Sequence, residues 1–349
     1  MQDRGVPNRD ELLIETLGPE PRVVAENGRV RDFRKISSVL RPVEGRTVTS
    51  LVAEVVRTGA PVQRSAQVPD PQGGGGSVER RYAGYPVAGP DNIVAGVQLV
   101  YGTDVGPSTT RASAFQWELD LAGGPPRLHL TPAAIELLEV PEDHLDRSVF
   151  GPLDFFGRVA RMPDVVHMWQ AIVDAAPGYA ESGTVSILTG TGRPAMMLYA
   201  QRYVPTDVGP RLRAICQDVT ATVDQRQLRV DMLDLTIARV AFEANEVFGV
   251  VLETRYPSTM PLKWLTAWAP GMGHGLATGQ TPGMHPDDIL RIPELVQRAQ
   301  SERIVRDSVR IRKFGGGWLI ANFVAQVIDP EVSPTLALAL VTTADKLDE

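Results

Sequence analysis

Apolar and polar residues alternate over Phe115-Gln-Trp117-Glu-Leu119-Asp120, and a period of two places Phe115, Trp117 and Leu119 on one face of a strand. Gly123-Gly124-Pro125-Pro126 then turns the chain into Arg127–Leu130. Thr131-Pro132 supplies an N-cap and a first-turn proline for a short helix reaching about Leu138. A second helix is predicted from Pro163-Asp164, with Val165, Trp169, Ile172 and Val173 on one stripe and a stop at Pro177-Gly178. Three strand-like runs follow, Thr184–Leu188, Ala195–Val204 and Leu212–Val219, the first two joined by the turn Thr189-Gly-Thr-Gly192.

The same succession returns downstream. Val247–Thr254 and Leu262–Ala269 read as strands around Tyr256-Pro257-Ser258, and His285-Pro286-Asp287-Asp288 opens a helix through Leu290, Leu295 and Val296. Val305–Lys313, Trp318–Ile328 and Thr335–Thr342 supply three final strands, with Gly315-Gly316-Gly317 at a hairpin tip. The copies align at a near-constant shift, Asp164 with Asp287, Tyr199 with Phe323 and Val219 with Thr342, which implies two structural units of one kind. They differ where the first has its helix at 131–138: the second has a glycine-rich run from Gly271 to Gly279.

Ahead of the repeats, Asn8, Leu12, Leu13 and Leu17 suggest a helix ended by Gly18-Pro19-Glu20-Pro21. Strands Arg22–Ala25 and Arg29–Phe33 fold back at Asn27-Gly28, a strong hairpin signal. Thr49 or Ser50 would cap a helix through Leu51, Val52, Val55 and Val56, closed by Thr58-Gly59-Ala60-Pro61, and Tyr85–Ala88 and Val94–Leu99 form a later hairpin. Pro69–Ser77 is a loop by composition, and Gly102–Ser113 is polar enough to mark a domain boundary. From Ala221 to Val240 there is no Gly or Pro, and Leu228, Met232, Leu235 and Arg239 recur at four-three-four spacing. That helix could pack along its own domain, link two domains, or pair with a second chain.

The segment from Phe115 to Thr220 resembles a PAS domain, through its aromatic first strand, Pro163-Asp164, the hairpin tip Gly192-Arg193-Pro194 and the closing Asp218-Val219-Thr220. The region before it resembles a GAF domain in Thr58-Gly59-Ala60-Pro61-Val62 and the hairpin at 85–99. The resemblance implies an α+β chain of three tandem domains, each a curved antiparallel sheet flanked by helices: GAF-like at 1–105, PAS-like at 112–222 and a degenerate PAS-like copy at 240–349, with a linker helix at 223–239. The chain is similar to tandem GAF-PAS-PAS sensory proteins of actinobacteria that lack an output domain, and with the sequence ending at Glu349 no kinase, cyclase or DNA-binding module is expected.

Composition narrows the chemistry. At 349 residues two or three cores are expected, and 35 Lys plus Arg against 42 Asp plus Glu gives a net charge of -7, which argues against nucleic acid. One cysteine, Cys216, excludes an internal disulfide, and no apolar run is long enough for a signal sequence or membrane span, so a cytoplasmic location is expected. His129, His144, His167, His274 and His285 never fall at metal-ligand spacing. Gly271, Gly273, Gly275 and Gly279 fail as a dinucleotide fingerprint because Leu276 occupies the third glycine position. No nucleophile-elbow motif, no metal-bridging carboxylate set and no Cys and His placed for nucleophilic work stand out, and the acid pair Asp287-Asp288 is accounted for as a helix start. No enzyme, cofactor or metal is expected.

The expectation is therefore a signalling protein that binds a small, largely apolar ligand or a signalling partner and relays the event by domain packing; a ligand-free interaction scaffold is the alternative. Phe115, Trp117, Phe155, Trp169, Met197 and Tyr199 are the candidate cavity wall, each with an ordinary core position as the competing reading. His167 lies where the PAS resemblance places a haem ligand, against the simpler reading of a surface or satisfied core histidine. The linker helix is the candidate contact of a homodimer.

Overall fold

The computed structural model describes residues 9–69, 76–103, 105–108, 110–119, 124–142, 147, 149–256, 259–272, 283–313 and 315–344. They form three antiparallel sheets flanked by few helices, an α+β architecture. The chain divides into two compact units, residues 1–119, 128–148 and 170–228 in one and 120–127, 149–169 and 229–349 in the other.

In the first unit, β1 (Arg9–Glu15), β2 (Arg22–Glu26), β3 (Arg29–Lys35), β4 (Val62–Pro69), β5 (Ser77–Ala88) and β6 (Val94–Gly102) form a six-stranded sheet in the order β3-β2-β1-β6-β5-β4. The helix expected over residues 8–17 is instead strand β1; Asn8, its expected cap, lies outside the described residues. The reason is two-sided burial. Leu12 and Ile14 enter the core beneath α2 (Pro42–Thr58), while Leu13 and Glu15, also buried, face the other way. A central strand buried on both faces reads as a continuous apolar run, which spacing alone cannot tell from a helix. Asn27 and Gly28 do make the β2–β3 turn, both at positive φ (49° and 74°).

Short helix α1 (Ile36–Val39) leads into α2, which begins a full two turns before the expected Thr49 or Ser50 cap. Pro42 presets the first turn, and the buried Val48, Leu51, Val52 and Val55 hold it to the sheet. Glu44 in that first turn is buried and accepts from Arg80 Nη1 at 2.7 Å and the Tyr82 hydroxyl at 3.2 Å. Gly45 hid the true start, since an interior glycine weakens helix propensity until tertiary contacts override it.

A second, five-stranded sheet contains β7 (Ala112–Glu118), β8 (Arg127–Leu130), β9 (Ala180–Leu188), β10 (Pro194–Val204) and β11 (Arg211–Asp218) in the order β8-β7-β11-β10-β9. Thr131 caps α3 (Pro132–Leu137) as its sequence implied, with its hydroxyl accepting from Ala134 N at 3.1 Å. One face of this sheet lies on the free face of the first. The Ile215 side chain packs so closely over Gly96 that a Cβ there would sit 3.1 Å from Ile215 Cδ1. Polar ties cross beside it. Arg202 pairs with Glu15, Arg213 pairs with Asp91, and Thr110 in the connecting segment gives its hydroxyl to Glu11 at 2.9 Å and receives Gln217 Nε2 at 2.7 Å.

The second unit takes in α4 (Pro152–Phe156), most of α5 (Met162–Val173) and most of α6 (Gln225–Glu243). Its sheet joins β12 (Phe248–Glu253), β13 (Met260–Trp264), β14 (Val305–Arg312), β15 (Trp318–Asp329) and β16 (Ser333–Ala344) in the order β13-β12-β16-β15-β14. Numbered within themselves, this sheet and the second one share the order 2-1-5-4-3. The aligned residues Tyr199 and Phe323 occupy matching positions, opposite Cys216 and Val341 on the last strands.

Two expectations need correction here. The helix from His285 through Val296 is two helices, α7 (Pro286–Ile289) and α8 (Ile292–Ser301), because Pro293 has no N–H for the carbonyl of residue 289. The strand expected to reach Ala269 ends at Trp264, and Trp268 instead gives its indole N–H to Met272 O at 3.2 Å. On α6 the heptad residues Leu228 and Leu235 are buried within the chain, while a different apolar set faces outward. The glycine-rich run beyond Met272 lies outside the described residues.

Candidate functional site

Strand register assembles the candidate site in rows across the second sheet. Residues directly opposite one another in antiparallel strands share a face. One row is Ser113, Cys216, Tyr199 and Gly183; the next is Phe115, Ala214, Gln201 and Glu181; Trp117 and Leu212 follow, and Met197 stands beside Val185 and Asp218. Phe115, Trp117, Met197 and Tyr199 therefore occupy one face, all buried. This is the face turned away from the first sheet, because Arg202, Arg213 and Gln217 alternate to the opposite side.

Among these apolar groups the face carries a polar constellation. Glu181 accepts from the Tyr179 hydroxyl, from the Tyr199 hydroxyl at 3.0 Å and from Gln201 Nε2 at 3.1 Å. Gly183 makes the geometry feasible. A Cβ there would lie 3.0 Å from the Tyr199 hydroxyl and 3.2 Å from the ring, tighter than ordinary van der Waals contact, so the glycine lets the ring lie close across β9 and reach Glu181 without displacement. Burial and the adjacent carboxylate push the Tyr179 phenol well above its ordinary range. In the neighbouring row the Cys216 thiol lies 3.1 Å from Ser113 Oγ, and burial raises it to about 11, which keeps it protonated and unreactive at neutral pH.

Phe155 and Trp169, the other two candidates, belong to the second unit. Phe155 meets Phe156 edge to face at 5.2 Å, and Phe156 meets Trp169 likewise at 5.8 Å. The Trp169 indole N–H goes to Glu253, a fully buried carboxylate that also accepts from Thr335 Oγ1 at 3.2 Å and from the Arg255 backbone N–H at 2.8 Å. Next to it on the same face of the third sheet is Lys263, equally buried. Its Nζ donates to Val159 O at 2.6 Å and to Phe156 O and Gly157 O at 3.3 Å, satisfying carbonyls at and beyond the end of α4. Burial, with the Arg239 charge adding to it, lowers this ammonium to about 8.

His167 is exposed on α5, off the buried stripe of Val165, Met168, Trp169 and Ile172. His129 lies 2.9 Å from Glu118, and His285 caps α7 by accepting from Asp287 N at 3.2 Å; His144 and His274 lie outside the described residues. Among the described residues no three His, Cys, Asp or Glu side chains come together as a metal site.

The polar groups escaped a reading built on apolar periodicity. Their one trace is a charged or amide residue inside an otherwise apolar strand: Gln201 after Leu-Tyr-Ala, Lys263 between Leu262 and Trp264, Glu253 closing an apolar run.

Three sheets flanked by few helices define the class of molecule, and the comparisons place it more closely. Residues 10–108 match the family model described as Rv3651-like, N-terminal. An uncharacterised protein of Mycobacterium tuberculosis, solved by crystallography, is similar over 97% of each chain with a TM-score of 0.63 and 21% identity, so the whole three-sheet fold is shared with an actinobacterial protein. An RNA-binding light-oxygen-voltage receptor matches at a TM-score of 0.25 and 12% identity, over 67% of this chain and 95% of that one. No curated protein matches. No helix among the described residues is long and apolar enough to cross a membrane.

Proposed function

We propose that this is a non-catalytic sensory protein of actinobacterial type, with a GAF-like and two PAS-like domains, that binds a small and largely apolar ligand and relays the event by a shift in packing between sheets. The observation that supports this reading is the two-sidedness of β10. Met197, Tyr199 and Gln201 stand on the aromatic face, and Arg202, one residue on, reaches Glu15 in the first sheet. A ligand that displaced Tyr199 would move the strand that carries the interdomain ion pair. Such a ligand would be apolar over Phe115, Trp117 and Met197, with one polar group near the Glu181 cluster.

The second reading, a ligand-free interaction scaffold, draws on the same cluster. Tyr179, Tyr199, Gln201 and Glu181 already satisfy one another, as residues of a filled core do. Thermal shift of the full chain against fatty acids, aromatic acids and other amphipathic metabolites separates the two. A stabilising ligand whose effect is lost in Met197→Trp, a variant that fills the face, supports the sensor; a flat response across the panel leaves the scaffold.

A further inference from the structure

Helix α6 is apolar on two opposite sides. Leu228 and Leu235 are buried, whereas Val230, Leu233, Ile237 and Val240 stand between 52% and 63% exposed. At about 100° per residue these four form one stripe roughly opposite the buried one. Isolated exposed apolar residues are unremarkable, but four in register along a helix are not.

We propose that this stripe is a homodimer contact in which α6 of a second copy packs antiparallel to the first. Two observations select the occupant and the direction. The stripe steps by three, four and three residues, the same read from either end, so reversing the partner sets Val230 against Val240 and Leu233 against Ile237 on both sides of a two-fold axis. Along one flank run exposed Arg229 near the N-terminal end, Thr236 at the centre and exposed Glu243 at the C-terminal end. Antiparallel packing brings Arg229 of each chain to Glu243 of the other, twice by symmetry, whereas in a parallel two-fold pair the same flank of the two copies lies on opposite sides of the seam and the two charges do not meet. The contact spans about 15 Å of helix. That is smaller than the roughly 1,600 Å² of a standard interface, so the dimer is weak and depends on concentration.

Sedimentation velocity of the full chain should show the sedimentation coefficient rising with concentration. Leu233→Glu should abolish the rise while leaving the thermal midpoint unchanged, since the side chain is exposed. Arg229→Glu should weaken association about tenfold or more, and Arg229→Glu combined with Glu243→Arg should restore it. For direction, Val230→Cys protein mixed with Val240→Cys protein should cross-link under oxidation while neither does so alone; buried Cys216 stays silent. A chain monomeric at every concentration, failure of the charge swap to restore association, or cross-linking of Val230→Cys with itself would each overturn the proposal.

Discussion

Arg202 Nε lies 2.9 Å from the carboxylate of Glu15, which has no exposure to solvent. The guanidinium also lies over the Phe33 ring at 5.2 Å, so one side chain of the second sheet is held by two strands of the first. Truncating one member of such a pair leaves the other charge buried and unmatched. Arg202→Ala should destabilise the protein by about 3 kcal/mol, and the Glu15→Gln, Arg202→Met double variant by clearly less. Urea denaturation of the set measures both.

Lys263 gives a prediction of opposite character, because burial lowers its ammonium to about 8 from an ordinary 10.5. The unfolded chain then holds more protons than the folded one between those values, so stability rises with pH across that window. The difference amounts to about 3 kcal/mol. Unfolding measured at pH 7.5 and 10 in the wild type and in Lys263→Met should show this alkaline gain in the wild type alone; parallel pH profiles would refute it.

An acid-side counterpart lies at the end of α3. Hydroxyls of Thr189 and Thr191 and the Arg193 guanidinium, at 2.9 Å, hold the Glu139 carboxyl at about 2, below an ordinary 4.5. Here the folded value is depressed, so the stabilisation is present above 4.5 and fades as pH falls towards 2. Solvent screening at this partly exposed site reduces it to about 1 kcal/mol. Glu139→Gln should flatten the wild-type loss of thermal midpoint between pH 5 and 3.

For the aromatic face, Gly183→Ala should push the Tyr199 ring off β9 and separate its hydroxyl from Glu181, at a cost of about 1–3 kcal/mol. Tyr199→Phe, which removes the hydroxyl and keeps the ring, should cost about 1 kcal/mol. If Gly183→Ala in the Tyr199→Phe background costs as much as in the wild type, the hydroxyl is not what the glycine accommodates.

The repeat, the hairpins and the α3 cap were legible in the sequence because each rests on local chemistry: alternation, Asn27-Gly28, Thr131-Pro132. Strand β1 was not, since a core on both sides erases the period that distinguishes strand from helix, and the start of α2 depended on contacts distant in sequence. The six aromatic and sulfur candidates are all buried, yet four lie on the second sheet and two in the other unit. Periodicity assigns a residue to a face; only register reveals its neighbours. Glu181, Glu253 and Lys263 owe their places to such neighbours.

Because Gly96 and Glu15 on one sheet meet Ile215 and Arg202 on the next, residues 1–105 and 112–222 are poor candidates for separate expression. Cutting between them would bare an apolar surface and strand a carboxylate built to be dry.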